Sequence, residues 1–476
     1  MTTEQELPKG WKKTTLGAEF EWSSGGTPKS GIPAYYENGS IHWLNISDLN
    51  DGLVSYAEKK ITELGLQESS AKIVPQGAVL IAIYGSIGKL GINTIPLATN
   101  QAICFTKKIP EYILNKFLFY YLLSIRNQLI TMGKGGTQQN ISQTVLKGVP
   151  FFYPTSKEAQ QAIVNKIESL FAEIDEGIGR LKTAAQQIQQ YRQSLLKNAF
   201  NGELTKEWRS KHADTLPSEN ELLAQIQTTR EQHHAQQLAD WQTAVSQWEQ
   251  NGKEGKKPSK PKAPTQAVKF EDNFADLPSG WIWGKLSDLG ELARGKSKHR
   301  PRNDKKLFGG KYPFVQTGEV RAANRIIKKY EQTYSEFGLE QSKLWQKGTL
   351  CITIAANIAE TAFLGFDACF PDSIVGFSAS KAVLPEYIEL FIKSARTRIE
   401  SYAPATAQKN INLNTLENLI VPYCSLAEQT QIVAILESKL TACDQLAAEL
   451  AKQLKQAELL KQAVLKAAFS GSLLDK

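Results

Sequence analysis

A chain that repeats itself at one fixed interval has to fold its two copies alike, and this sequence repeats across nearly its full 476 residues. LPKGW (7–11) returns as LPSGW (277–281), and QNISQTVL (139–146) returns as KNINLNTL (409–416), both displaced by 270 positions. IVNKIESLFAEID (163–175) returns as IVAILESKLTACD (432–444), and AFNGEL (199–204) as AFSGSL (468–473), both displaced by 269. Between these anchors, residues 20–136 and 290–406 share strand character but little sequence. Each half is therefore a variable unit followed by a repeated one. The length suits about three domains at roughly 150 residues each.

The repeated units read as long helices. In the first, Ile163, Ile167, Leu170, Ile174, Ile178, Leu181, Ala185, Ile188, Leu195 and Ala199 recur at steps of three, four or seven. In the second, Leu436, Leu440, Cys443, Ala447, Leu450, Leu454 and Ala457 alternate steps of four and three, the seam of a coiled coil. Helices of ~43 residues are ~65 Å long. Laying the two side by side is the simplest way to cover both seams. Gly202 and Gly471 stand at the C-terminal stop positions.

The variable units read as strand-rich. GSIHWL (39–44), GAVLIAIY (77–84), QAICFT (101–106) and KGTLCITI (347–354) are short, β-branched or aromatic runs bounded by glycine and polar turns. A helix is expected after the strands of each unit, at 111–132 and 385–402. Residues 218–250 are polar and helix-prone, and GKEGKKPSKPK (252–262) reads as a lysine and proline linker without fixed structure.

Composition excludes several classes. No apolar run approaches the ~18 residues of a membrane span, and MTTEQELPKGW has neither the basic start nor the apolar stretch of a secretion signal, so a soluble, cytoplasmic chain is expected. Cys104, Cys351, Cys369, Cys424 and Cys443 show no C-x-x-C spacing, which argues for reduced core residues over a zinc site or disulfide framework. Lysine and arginine outnumber acids 56 to 48, a net charge of +8 that suits an anionic partner, nucleic acid first.

Residues 290–297, GELARGKS, spell a phosphate-cradling loop pattern, which has meaning only between a buried strand and a helix. Upstream, WIWGKLSDL is alternating and charged; downstream, KHRPRND carries Pro301 and no helical stripe, so ATP binding is not expected here. The stretch offers charge instead: Arg294, Lys296, Lys298, Arg300, Arg302, Lys305, Lys306 and Lys311 against Asp304 alone. That density suits phosphate neutralisation. His42, His212, His233, His234 and His299 form no metal or catalytic pattern, and no Asn-Pro-Pro-Tyr or Asp-Pro-Pro-Tyr occurs. Pro371-Asp372 hints at a nuclease core, but the nearest Glu-x-Lys, Glu437 to Lys439, lies 65 residues on and within the coiled-coil helix. No catalysis by this chain is expected.

Two dissimilar strand-rich units, each followed by a similar long helix, resemble the specificity subunit of type I restriction-modification systems. The resemblance rests on LPxGW opening each half, GGTP and YYENGSIHWLNISDL within 25–49, the N-I-x-x-x-x-L segments, EQTQIVAILE (428–437), and AFxGxL followed by TKEWR (205–209). It implies an α+β fold with two target recognition domains, 1–156 and 277–425, each followed by a helix, 157–208 and 426–476, the two pairing as an antiparallel coiled coil, with a central polar helix and linker at 209–276. Each recognition domain would read one half of a split, asymmetric DNA site. The helices would set the spacer and dock two methyltransferase subunits, with restriction-translocase subunits outside. This chain would bind no cofactor itself; S-adenosylmethionine, ATP and magnesium would sit on its partners.

Expected DNA contacts are Thr27, Lys29, Ser30, Lys89, Lys134, Gln138 and Gln139 in the first half. In the second they are Lys296, Lys298, Arg300, Arg302, Gln316, Thr317, Arg321, Gln408 and Lys409. Expected helix-pairing and partner positions are Ile163, Ile167, Leu170, Ile174, Leu181, Leu436, Leu440, Leu450 and Leu454. EAQQAIVNKIE (158–168) is one residue longer than its counterpart EQTQIVAILE and reads as having lost the Glu-Gln pair. The alternative reading is a coiled-coil adaptor that scaffolds proteins, which would expose aromatic anchors more than lysine-rich loops.

Overall fold

The computed structural model describes residues 8–133, 140–255, 257–264, 276–403 and 410–474. The chain divides into two compact units, Met1–Ala185 with Ala448–Lys476, and Gln186–Ala447.

In the first unit a five-stranded sheet runs in the order Glu21–Ser24, Ile103–Lys108, Val79–Ala82, Leu90–Asn93, Gly52–Val54. Its pairs are antiparallel except the last, Gly52–Val54 against Leu90–Asn93, which is parallel. The second unit repeats that order with Gly290–Arg294, Ile374–Ala379, Leu350–Thr353, Thr361–Leu364 and Ile326–Ile327, again parallel only at the last pair. Segments with little common sequence thus have one topology. The shared requirement is burial: VLIA, LGIN, LCIT and TAFL are buried at every position, so any small or apolar residue that fills the space serves. Around this common sheet the units differ. The first adds a four-stranded sheet built on Ile41–Leu44 and Leu97–Thr99, where the second carries a ribbon of Phe308–Phe314 and Gln332–Tyr334.

The long helices are Lys157–Phe200 and Leu426–Phe469, 44 residues each. The first stops at Phe200 rather than 208, because Gly202 takes a φ of +80° and a separate short helix, Lys206–Lys211, follows. Each unit holds the start of one long helix and the end of the other, running antiparallel. In the first unit Asp175 pairs with Lys461, and Val464, Leu465 and Ala468 share a core with Ile163, Val164 and Ile167. In the second unit Arg192 pairs with Asp444, and Leu195, Ala199 and Phe200 share a core with Ile432, Val433 and Leu436. Of the expected seam residues, Ile163, Ile167 and Leu436 are buried, while Leu170, Ile174, Leu181, Leu440, Leu450 and Leu454 are half-buried. The helix ends therefore double as core for the two five-stranded sheets.

The same exchange explains why LPxGW and AFxGxL are repeated at all. A Cβ on Gly471 would lie 2.2 Å from the Pro8 ring, and one on Gly202 would lie 2.2 Å from the Pro278 ring. Each opening motif is seated on the helix end of the other repeat.

The Glu-Gln pair is half retained. Gln160 bonds the Leu114 amide at 2.9 Å and the Tyr112 and Pro154 carbonyls, as Gln429 bonds the Leu384 amide at 2.9 Å and the Cys424 carbonyl. Only the glutamate is replaced, by Ala159. Glu428 is buried against Thr205, Arg209 and Trp281, so it belongs with TKEWR, and Leu474 stands at the repeat position of Thr205.

The expected central helix is present, and the departure lies in the segment after it. Glu219–Gln250 is a helix with a Ser218/Glu221 capping box, and its Leu222 and Ile226 are buried in the core of the second unit. The lysine and proline segment does not run free; it returns along that helix. No helix among the described residues is long and apolar enough to cross a membrane. All five cysteines are free and buried.

Candidate nucleic-acid interface

The glycine-rich loop after the first strand of each sheet is held where a side chain could not fit. A Cβ on Gly25 would lie 2.1 Å from the Thr99 carbonyl, and one on Gly295 2.3 Å from those of Phe370 and Pro371. Gly25 and Gly295 stand at the same repeat position, so both loops leave their sheets in the same way. In the first unit the Trp43 indole donates to the Gly26 carbonyl at 3.0 Å and Tyr36 donates to that of Pro28, so two aromatics fix the loop's path. Thr27, Lys29 and Ser30 are exposed beyond it, with the Thr27 hydroxyl bonded to Gln101.

The Gly290–Arg294 stretch of GELARGKS is itself a strand, paired along its length with Ile374–Ala379. Gly295 packs on Phe370 and Pro371, and the next element is a single 3-10 turn at Lys305–Leu307. No helix N-terminus follows to cradle a nucleotide's phosphates here.

The basic loop that follows divides into ties and free cations. Arg302 bonds both oxygens of Asp372 at 2.9 and 2.8 Å, and Arg294 bonds the Asp372 carbonyl at 2.8 and 2.6 Å. Asp372 is thus a brace for the loop, and Glu437 pairs with Arg325, so neither acid contributes to a nuclease centre. Arg300 bonds the carbonyls of Ser297 and His299 within its own loop. Asp304 accepts from the Lys306 amide and His299, which hold its carboxyl below the usual range. Lys296, Lys298 and Arg321 are exposed and pair with no carboxylate among the described residues. Gln316 bonds Gln332 at 3.0 Å, and Thr317 opens the short helix Thr317–Ala322 that carries Arg321.

A second loop stands out in both units, between the two central antiparallel strands. In the first unit it spans 83–89, with φ of +69° at Gly85 and +82° at Gly88; Tyr84 and Ser86 are exposed and Lys89 half-buried. In the second unit Ala356 and Ala359 hold the same left-handed turns at +64° and +60°. Each costs about 1 kcal/mol relative to glycine, strain of the kind concentrated at functional sites. The loops adjoin the N-I segments: Tyr84 bridges Asn140, Ala355 bridges Asn410, and Ile141 and Ile411 donate to Ile83 and Ile354 at 2.9 Å. Sequence reading does not single out the exposed Tyr84 and Ser86 of this loop; the signal available is the pair of glycines answered by two alanines. Lys134, Gln138, Gln139, Gln408 and Lys409 lie outside the described residues.

No group of three or more His, Cys, Asp or Glu among the described residues could hold a metal ion.

The sequence profile described as "Type I restriction modification DNA specificity domain" matches residues 8–182 and again 278–456. The chain is 22% identical to the type I restriction enzyme EcoKI specificity subunit of Escherichia coli strain K12, over 98% of this chain and 90% of that one. It is 31% identical to the EcoBI specificity subunit of Escherichia coli over 41% of this chain, an alignment spanning 42% of the relative's length. Among solved structures, a chain described under the complex assembly and conformational transition of the type I R-M system superposes with a TM-score of 0.69 at 17% identity, covering 98% of this chain and all of that one. The HsdS subunit from Thermoanaerobacter tengcongensis superposes at 0.55, also at 17% identity, covering 99% of each. At such identities the superpositions speak for the fold.

Proposed function

The chain belongs to the type I restriction-modification DNA specificity family, and we propose that it selects the DNA site for an assembly whose catalytic work is done by other subunits. The observation that carries this reading is the repeat: two sheets of identical strand order present different exposed loops, as a reader of two different half-sites requires. Each recognition unit contributes a rigid sheet; the loops after its first strand and between its central strands carry the side chains that reach the DNA. Lysine and arginine there neutralise phosphates and fix register, while polar side chains discriminate base edges in a groove. The long helices set the unread gap between the half-sites and dock two methyltransferase subunits, outside which the restriction-translocase subunits bind. S-adenosylmethionine, ATP and magnesium belong to those partners, in the cytoplasm.

Mapping methylated adenines genome-wide in cells with and without the gene tests this. One split motif, with a modified adenine in each half, is expected to vanish on deletion; survival of every methylated motif would sink the reading. Replacing Lys296 and Lys298 together by alanine is expected to flatten the slope of log affinity against log salt by roughly two, at about 0.9 for each phosphate no longer neutralised. An unchanged slope would remove these lysines from the interface.

A further inference from the structure

The helix Glu219–Gln250 and the segment after it form an arm with a regular construction. Gly252, Lys253 and Gly255 take φ of +74°, +64° and +80°, which reverses the chain. Residues 257–264 then run back along the helix. The Trp248 indole donates to the Gly255 carbonyl at 3.3 Å and the Trp241 indole to that of Pro258 at 3.0 Å. The Lys257 ammonium lies 5.9 Å from the Trp248 ring centre, and the Lys260 ammonium 5.9 Å from that of Trp241.

The spacing is commensurate. Trp241 and Trp248 stand seven residues apart, ~10.5 Å along the helix, and their acceptors Pro258 and Gly255 stand three residues apart, so each tryptophan meets the returning segment at its own carbonyl. Pro258, Pro261 and Pro264 recur every third residue and are half-buried, while Lys257, Lys260 and Lys262 are exposed. A flexible solubilising linker would need no such ladder. The arm is also fixed at its base within the same unit: Arg230 pairs with Asp288 at 2.9 Å, and His233 bonds Glu291 at 2.8 Å. Lys253, Lys257, Lys260 and Lys262 make no ion pair with a described residue, and Glu254 is the one acid in 251–264.

We propose that this arm is a second DNA contact, gripping backbone phosphates through its lysine edge without reading bases. The proposal rests on the specificity reading above. Holding the lysines on a braced segment reduces the entropic cost of binding, and Lys257 and Lys260 stay exposed beside their tryptophans. An acidic protein surface is the competing occupant. The net charge of the chain and the density of unpaired lysine on an extended backbone favour a uniformly charged polyanion.

The test uses the assembled methyltransferase complex and a duplex carrying its own motif. Replacing Lys253, Lys257, Lys260 and Lys262 by glutamine is expected to lower the salt slope by roughly 3–4. The fall in affinity between 50 and 200 mM salt then shrinks about 10²-fold, while the motif methylated in cells is unchanged. A Trp241→Leu, Trp248→Leu variant with all lysines kept is expected to lose part of the same slope, because the strand is no longer braced. An unchanged slope in the lysine variant overturns the proposal, as does weakened assembly with the methyltransferase at an unchanged slope, which would assign the arm to a protein. Absence of motif-dependent binding by the parent complex would instead overturn the specificity reading.

Discussion

Replacing Glu428 by alanine is expected to cost the Gln186–Ala447 unit about 3–5 kcal/mol, the range for breaking a buried charge pair from one side. The Glu428 side chain is 2% exposed and accepts from the Thr205 hydroxyl at 2.7 Å, the Arg209 guanidinium at 3.1 Å and the Trp281 indole at 2.9 Å. Arg209 also bonds the Gly202 carbonyl and lies 5.6 Å from the Trp281 ring centre. One carboxylate therefore joins the second long helix to the end of the first and to the strand that opens the recognition unit. Its removal leaves the buried Trp281 indole N–H and Thr205 hydroxyl without this acceptor and leaves the Arg209 guanidinium only the Gly202 carbonyl. Glu428→Gln keeps the shape and an acceptor and is expected to cost about 1–3 kcal/mol, a hydrogen bond to a charged group rather than a charge. Hydrogen exchange measures both: amides of Ile282–Lys285 and Ile420–Tyr423 should lose protection by these amounts, while Trp11–Thr15 and Pro150–Pro154 keep theirs. A loss under about 1 kcal/mol in the alanine variant would show that the network is ornamental to stability.

That carboxylate also marks where sequence reading stops. The repeated motifs are visible as motifs, but not as one another's partners, because each opening motif meets the helix end of the other repeat, Pro8 at Gly471 and Pro278 at Gly202. The missing glutamate looks like general decay of the first copy; the structure separates it from Gln160, which keeps its work because both units keep the leucine amide and the Pro154 or Cys424 carbonyl that it binds. Strands such as Val79–Ala82 and Leu350–Thr353, buried on both faces, have no period of two, so they are legible as apolar runs but their order is not. Lysine density locates the loop after Gly295 correctly as exposed. It cannot tell Arg302, tied to Asp372, from Lys296, since both are simply cations in a sequence. The lysine and proline segment is misread for the opposite reason. Its partners, Trp241 and Trp248, stand a heptad apart in a helix that otherwise looks polar.

Adding one four-residue turn to both long helices, after Arg180 in the first and after Lys455 in the second, is expected to change the recognised site without changing either half of it. Both points are exposed on their helices. The insertion adds ~6 Å and turns the helix by about 40° beyond a full revolution. A base pair advances ~3.4 Å and turns by about 35°. The added rotation matches one base pair and the added length nearly two, so the unread gap should widen by one or two base pairs, with the parent motif no longer methylated. Lengthening one helix alone slips the seam and should prevent assembly, since apolar positions repeating at steps of three and four tolerate no unilateral shift. Methylation mapping reads each outcome directly. Methylation of the parent motif by the doubly lengthened chain would mean that something other than helix length fixes the gap, and the long helices would then be docks without being rulers.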